Sequence, residues 1–87
     1  MEILEGIRKK FDKIAKRDKP KYSKILALIN RILDNPQRLK PLRAPLAGYR
    51  RAHVDSFVLI YRIDETRKTV VITDYCHHDE AYKTQLE

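Results

Sequence analysis

Apolar residues Ile7, Phe11, Ile14 and Ala15 recur at the spacing of one helix face and predict a helix over residues 7–18. Pro20 then sits where proline is tolerated, in a first helical turn. A second stripe follows through Tyr22, Ile25, Leu26, Ile29, Ile32 and Leu33, until Asp34-Asn35-Pro36 stops it. Two amphipathic helices joined so briefly form an antiparallel hairpin. Ahead of them, residues 1–6 (MEILEG) read as a short first strand.

Residues 36–48 (PQRLKPLRAPLAG) hold three of the four prolines and a glycine, and read as an irregular connector. Beyond it the period becomes that of strands. YRRAHV alternates, FVLIYRI is a nearly continuous apolar run suited to a central strand buried on both faces, and TVVITDYC resembles it. Asp55-Ser56 and residues 64–68 (DETRK) supply tight connections, so these strands form an antiparallel meander. The expected fold class is α+β, one domain over residues 1–87. An N-terminal helical hairpin packs on one face of a small, mainly antiparallel sheet, in the order β-α-α-β-β-β.

Charge changes what this layout is good for. Nineteen Lys and Arg against twelve Asp and Glu give a net charge of +7, a field that favours nucleic acid, an acidic protein or an anionic membrane surface. The outer faces of the helices carry Arg8, Lys9, Lys10, Lys13, Lys16, Arg17, Lys21 and Lys24, for which the plain reading is a solvated surface. Between Asp34 and Asp55 there is no acidic residue, while Arg38, Lys40, Arg43, Arg50 and Arg51 all fall there. Alternation along YRRAHV directs Tyr49, Arg51, His53 and, by extension, Asp55 one way, and Arg50, Ala52 and Val54 the other. An arginine and a histidine in a row suit phosphate binding and proton movement better than a core. No apolar run approaches the roughly 20 residues needed to cross a bilayer. With one cysteine and no signal-peptide pattern, a cytoplasmic protein is expected, without a membrane partner.

The stretch YCHHDEAY (residues 75–82) concentrates two of three histidines and the only cysteine. A zinc site would draw on Cys76, His77 or His78, with Asp74 or Asp79. Adjacent strand residues point apart, however, and no second Cys/His pair completes a tetrahedron, so neither metal nor cofactor is expected. Cys76, read as alternating with Asp74 and Ile72, is expected to be a half-buried small side chain. Tyr61 and Tyr75 are expected to be packing residues.

The phrase PLAGYRRAHVDSFVLIYRID, followed by VVITDYCHHDEAY, resembles the C-terminal half of the RelE/ParE toxin superfamily, closest to its YafQ-like mRNA interferases. Gly48 to Val54, Leu59 to Tyr61, and His78 with Tyr82 carry the likeness, and the helical hairpin extends it over nearly the whole chain. The resemblance implies a toxin of a type II toxin–antitoxin system, cleaving mRNA in the ribosomal A site. It implies three kinds of partner: the ribosome, mRNA, and a cognate acidic antitoxin of the RelB/DinJ kind. By residue, His53 matches the strand histidine, His78 the C-terminal histidine and Tyr82 the terminal aromatic. Asp55 is the candidate for the aspartate that follows the strand histidine, and Ser56 shares that place. Two positions depart from the pattern. Ala44 replaces a further histidine and Val58 an arginine, with Arg43 and His77 nearby to compensate.

The chemistry accounts for such a set. RNA cleaves itself when its 2′-hydroxyl loses a proton and attacks the adjacent phosphorus while the 5′-oxygen gains one. Histidine, with an unperturbed pKa of ~6.5, suits either task, each contributing roughly 10²–10⁴-fold in rate. The catalytic candidates are therefore His53, His78, Tyr82, Arg51 and Asp55, with base and acid unassigned among His53, Asp55 and His78. Lys40, Arg43, Arg50, His77 and Lys83 are the expected RNA-binding residues. The alternative reading is a non-catalytic ParE-like inhibitor of DNA gyrase, or an inactive nucleic-acid-binding relative. The antitoxin is expected to cover the basic surface or displace the tail, residues 80–87.

Overall fold

A computed structural model describes residues 1–39, 41–42 and 47–77. A two-residue strand, β1 (Glu2–Ile3), leads into helices α1 (Glu5–Arg17) and α2 (Lys19–Asp34). Three strands follow, β2 (Tyr49–Val54), β3 (Phe57–Asp64) and β4 (Thr69–His77). The sheet order is β1-β4-β3-β2: the last three strands form the antiparallel meander, and β1 adds parallel to β4. This is the α+β layout that the periodicity predicts.

One residue makes the helical hairpin. The backbone N–H of Asp18 donates to the Ile14 carbonyl at 2.8 Å and closes α1. Its carboxylate accepts from the Lys21 N–H at 3.1 Å and caps α2. With Pro20 in the following turn, the chain has no room for anything but a sharp reversal.

The hairpin buries Ile7, Phe11, Ile25, Leu28, Ile29 and Ile32 against Ala52, Leu59, Tyr61, Val70, Ile72 and Tyr75 of the sheet. Each large apolar side chain so buried contributes about 1.5–3 kcal/mol. The stripe on α2 differs from the expected one. Leu28 is buried, whereas Leu26 and Leu33 are each 42% exposed. Helical geometry puts Leu26 about 100° around from Ile25, and Leu33 likewise from Ile32, off the line Ile25–Leu28–Ile29–Ile32 that meets the sheet.

Central strand β3 is buried on both sides, with Val58, Leu59, Ile60 and Tyr61 all at 4% exposure or less. Val58 and Cys76 form a small cluster apart from the main core, on the face away from the helices. Cys76 is buried rather than half-buried. A bulge sets its side. Ile60 faces Asp74 but Tyr61 faces Ile72, so Thr73 is an extra residue in β4. Its hydroxyl donates to the Ile60 carbonyl at 3.2 Å. Asp74 and Cys76 therefore share one face and Ile72 takes the other, which breaks the simple alternation expected for the three. Among the described residues, no helix is long and apolar enough to cross a membrane.

Candidate functional site

Strand β2 is an edge strand with two distinct faces. Ala52 opposes Leu59 within the core, while Arg51 opposes Ile60 and His53 opposes Val58 on the other side. Continuing across the sheet, Ile60 meets Asp74 and Val58 meets Cys76. His53 is exposed, and Arg51 is half-buried.

Beside β2 lies a cleft of about 190 Å³, bounded by α2, residues 38–39 and β3. Leu28, Ile32, Leu39 and Ala52 give it an apolar floor. Arg31, Arg38, Arg51 and His53 also line it, and among the described residues no carboxylate does. Because Arg51 and His53 lie on the face opposite to Ala52, the cleft sits at the open edge of β2, where both faces of the strand border it.

The segment bringing Arg38 to this cleft is fastened from below. The Tyr61 hydroxyl donates to the Pro36 carbonyl at 3.1 Å. Burial pushes that phenol above its ordinary pKa, while the charges of Arg50 and Arg38 pull it back. Arg50 Nε donates to the Leu39 carbonyl at 2.8 Å and Nη2 to Gln37 Oε1 at 3.0 Å. Among the expected RNA-binding residues, Arg50 is thus engaged in holding the connector. The Leu42 N–H donates to the Tyr49 carbonyl at 2.7 Å and extends that attachment along the edge of β2.

Asp55 stands elsewhere. It adopts φ +54° in the two-residue turn between β2 and β3, which takes it out of the strand's alternation. Its carboxylate pairs with Lys24 of α2 at 3.1 Å and lines a separate cleft with Asp18, Lys21 and Ser56. His77 opposes Phe57 and packs edge-on against its ring at 5.5 Å, on the sheet face opposite to His53. Lys40, Arg43, His78, Tyr82 and Lys83, with Ala44, lie outside the described residues. Arg31 is the cleft residue that the sequence concealed, since an arginine on an exposed helix turn carries no periodic signal.

A helical hairpin on a four-stranded sheet, with an arginine-bordered cleft beside the edge strand, defines a small basic α+β protein. Residues 2–82 match the family described as "ParE toxin of type II toxin-antitoxin system, parDE", and the chain belongs to that family. It is 44% identical over 84 residues to a protein of Methanocaldococcus jannaschii named "Putative toxin RelE4", covering 95% of this chain and 89% of that one. An uncharacterized protein of Methanosarcina mazei is 42% identical over 83 residues, 94% of this chain and 96% of its own. Among solved structures, "YoeB/ParE toxin from Agrobacterium tumefaciens" superposes with a TM-score of 0.72. That match covers 90% of this chain and 99% of the other at 19% identity, a likeness of fold. These relatives place the chain in the RelE/ParE toxin superfamily, and membership implies a cognate antitoxin as partner.

Proposed function

We propose that this toxin is a ribosome-dependent endoribonuclease, which cleaves mRNA in the A site without a metal in the chemical step and so inhibits translation. The observation that carries the reading is that Arg31, Arg38, Arg51 and His53 all border one cleft at the edge of β2, with no carboxylate among its described lining residues. In this account the guanidinium groups hold the scissile phosphate and stabilise the charge that builds on its oxygens. One imidazole of His53 and His78 takes the proton of the 2′-hydroxyl. The 2′-oxygen bonds to phosphorus, the P–O5′ bond breaks, and the other imidazole protonates the leaving oxygen. The products are a 2′,3′-cyclic phosphate and a 5′-hydroxyl. Tyr82 stacks on a base beside the cut. Asp55, paired with Lys24, enters as the anchor of the β2–β3 turn to α2 rather than as a proton carrier.

Inhibition of DNA gyrase is the second reading, favoured by the family match to ParE toxins. It needs no imidazole on a cationic cleft, and His53 therefore speaks for cleavage. Two assays on one preparation separate the readings: mRNA cleavage on programmed ribosomes and supercoiling by purified gyrase. Cleavage without gyrase inhibition is the expected result. Gyrase inhibition without cleavage would replace this reading with the other.

A further inference from the structure

A second cleft, of about 350 Å³, opens between α1, the start of α2 and the end of β4. Lys10, Lys13, Lys21 and His77 line it with Phe57 and Tyr75, and among the described residues no carboxylate does. Among the described residues this cleft shares no lining residue with the one at Arg51.

Two of its cations rest on neutral groups. Lys10 Nζ donates to the Tyr75 carbonyl at 3.1 Å, and Lys21 Nζ sits 3.7 Å from the centroid of the Phe57 ring. Phe57 is the outer member of an aromatic stack. Its ring is nearly parallel to Tyr75 (7°) at 5.2 Å, and Tyr75 in turn meets Phe11 edge-on. Tyr75 covers one side of Phe57, which leaves the other to the Lys21 ammonium. Asp18 and Asp55 line a neighbouring cleft, which Lys21 and Phe57 also border. A ring face covered by a displaceable cation, beside two more ammonium groups, has the two elements that single-stranded nucleic-acid sites combine. An acidic peptide would use the lysines and leave the ring face unused.

We propose that this cleft is a nucleotide subsite for single-stranded RNA. A base stacks on Phe57 in place of the Lys21 ammonium, and the adjoining phosphate is held by Lys10, Lys13 and the displaced Lys21. The inference rests on the reading of the protein as an RNA-directed toxin, and adds a contact remote from the bond cleaved.

The test is a heteronuclear NMR titration of the whole chain with a single-stranded oligoadenylate, repeated across a salt series. The Phe57 ring and Lys21 side-chain signals move, and Phe57→Leu weakens binding by a factor of about 5 to 160, the range for one base–aromatic stack. Phe57 also packs in the fold, so Lys13→Gln serves as a second variant, expected to flatten the log–log salt slope by about 0.7. Signals that move only around Arg51 and His53 overturn the proposal, as does a folded Phe57→Leu protein that binds as tightly as the parent. Equal shifts and affinity with polyglutamate also overturn it, and reassign the cleft to an acidic protein. A parallel cleavage assay keeps the two readings apart: binding here without cleavage rejects the reaction and supports the subsite, and cleavage without binding here does the reverse.

Discussion

The Tyr61 hydroxyl donates to the carbonyl of Pro36 at 3.1 Å, joining the most buried strand to the segment that follows α2. Removing the hydroxyl leaves a part-buried carbonyl without this donor and loosens the segment bearing Arg38. Tyr61→Phe should destabilise the protein by about 1 kcal/mol, the net contribution of one such bond. A urea titration measures it, and cleavage should fall by more than the change in folded population explains. An unchanged midpoint would mean that the connector is held elsewhere.

Asp18 serves two helices at once, and its side chain is the cap of α2. Asp18→Ala should cost about 1 kcal/mol, while Asp18→Asn or Asp18→Ser should retain most of the stability. Thermal unfolding of the three variants provides the comparison. Equal losses in all three would point to charge rather than to the cap.

Tyr75 yields a pH prediction. Burial, with lesser contributions from the charges of Asp55 and Asp18, pushes its phenol up to about 12. Its hydroxyl is buried and lacks a hydrogen-bond partner among the described residues. Between pH 10 and about 12 the unfolded chain releases this proton while the folded chain keeps it, so stability falls as pH rises through that window. Tyr75→Phe should remove this part of the alkaline loss. At neutral pH it should be neutral or stabilising, because no hydrogen bond is lost and a desolvated hydroxyl disappears. Denaturant midpoints of both proteins at pH 7 and pH 11 test this. A Tyr75→Phe protein with the same alkaline loss as the parent would assign that loss to other groups.

Much of the fold was legible because periodicity is a direct record of burial. The switch from the helical spacing of Ile7, Phe11 and Ile14 to the run FVLIYRI marks the change from hairpin to sheet. What stayed hidden depends on contacts between distant residues. Leu26, Leu28 and Leu33 are equally apolar, so only packing against the sheet decides which of them is buried. The bulge at Thr73 is a property of strand pairing and moves Asp74 and Cys76 to a face that counting from Ile72 would not assign. Asp55 was readable as a turn residue, but its ion pair with Lys24 spans 31 positions of sequence. Arg31 and Arg38 become site residues only when α2 and the connector meet β2.

RNA binding at the Arg31, Arg38 and Arg51 cleft should be phosphate-dominated. Arg31→Gln and Arg38→Gln should each weaken binding to oligoribonucleotides of different sequence about equally, and each should flatten the log–log salt slope by about 0.7 to 1. Affinities measured across a salt series would show it. A slope unchanged in both variants would remove these arginines from the interface.

The central claim is that His53 moves a proton at the scissile phosphate. It is tested most directly by comparing single-turnover cleavage of mRNA on programmed ribosomes by the parent and by His53→Ala. His53 is exposed and opposes Val58 at the edge of the sheet, so its removal should leave the fold intact. The account predicts a folded, ribosome-binding variant about 10²–10⁴-fold slower, with parent products ending in 2′,3′-cyclic phosphate. A folded His53→Ala protein that cleaves as fast as the parent would contradict it.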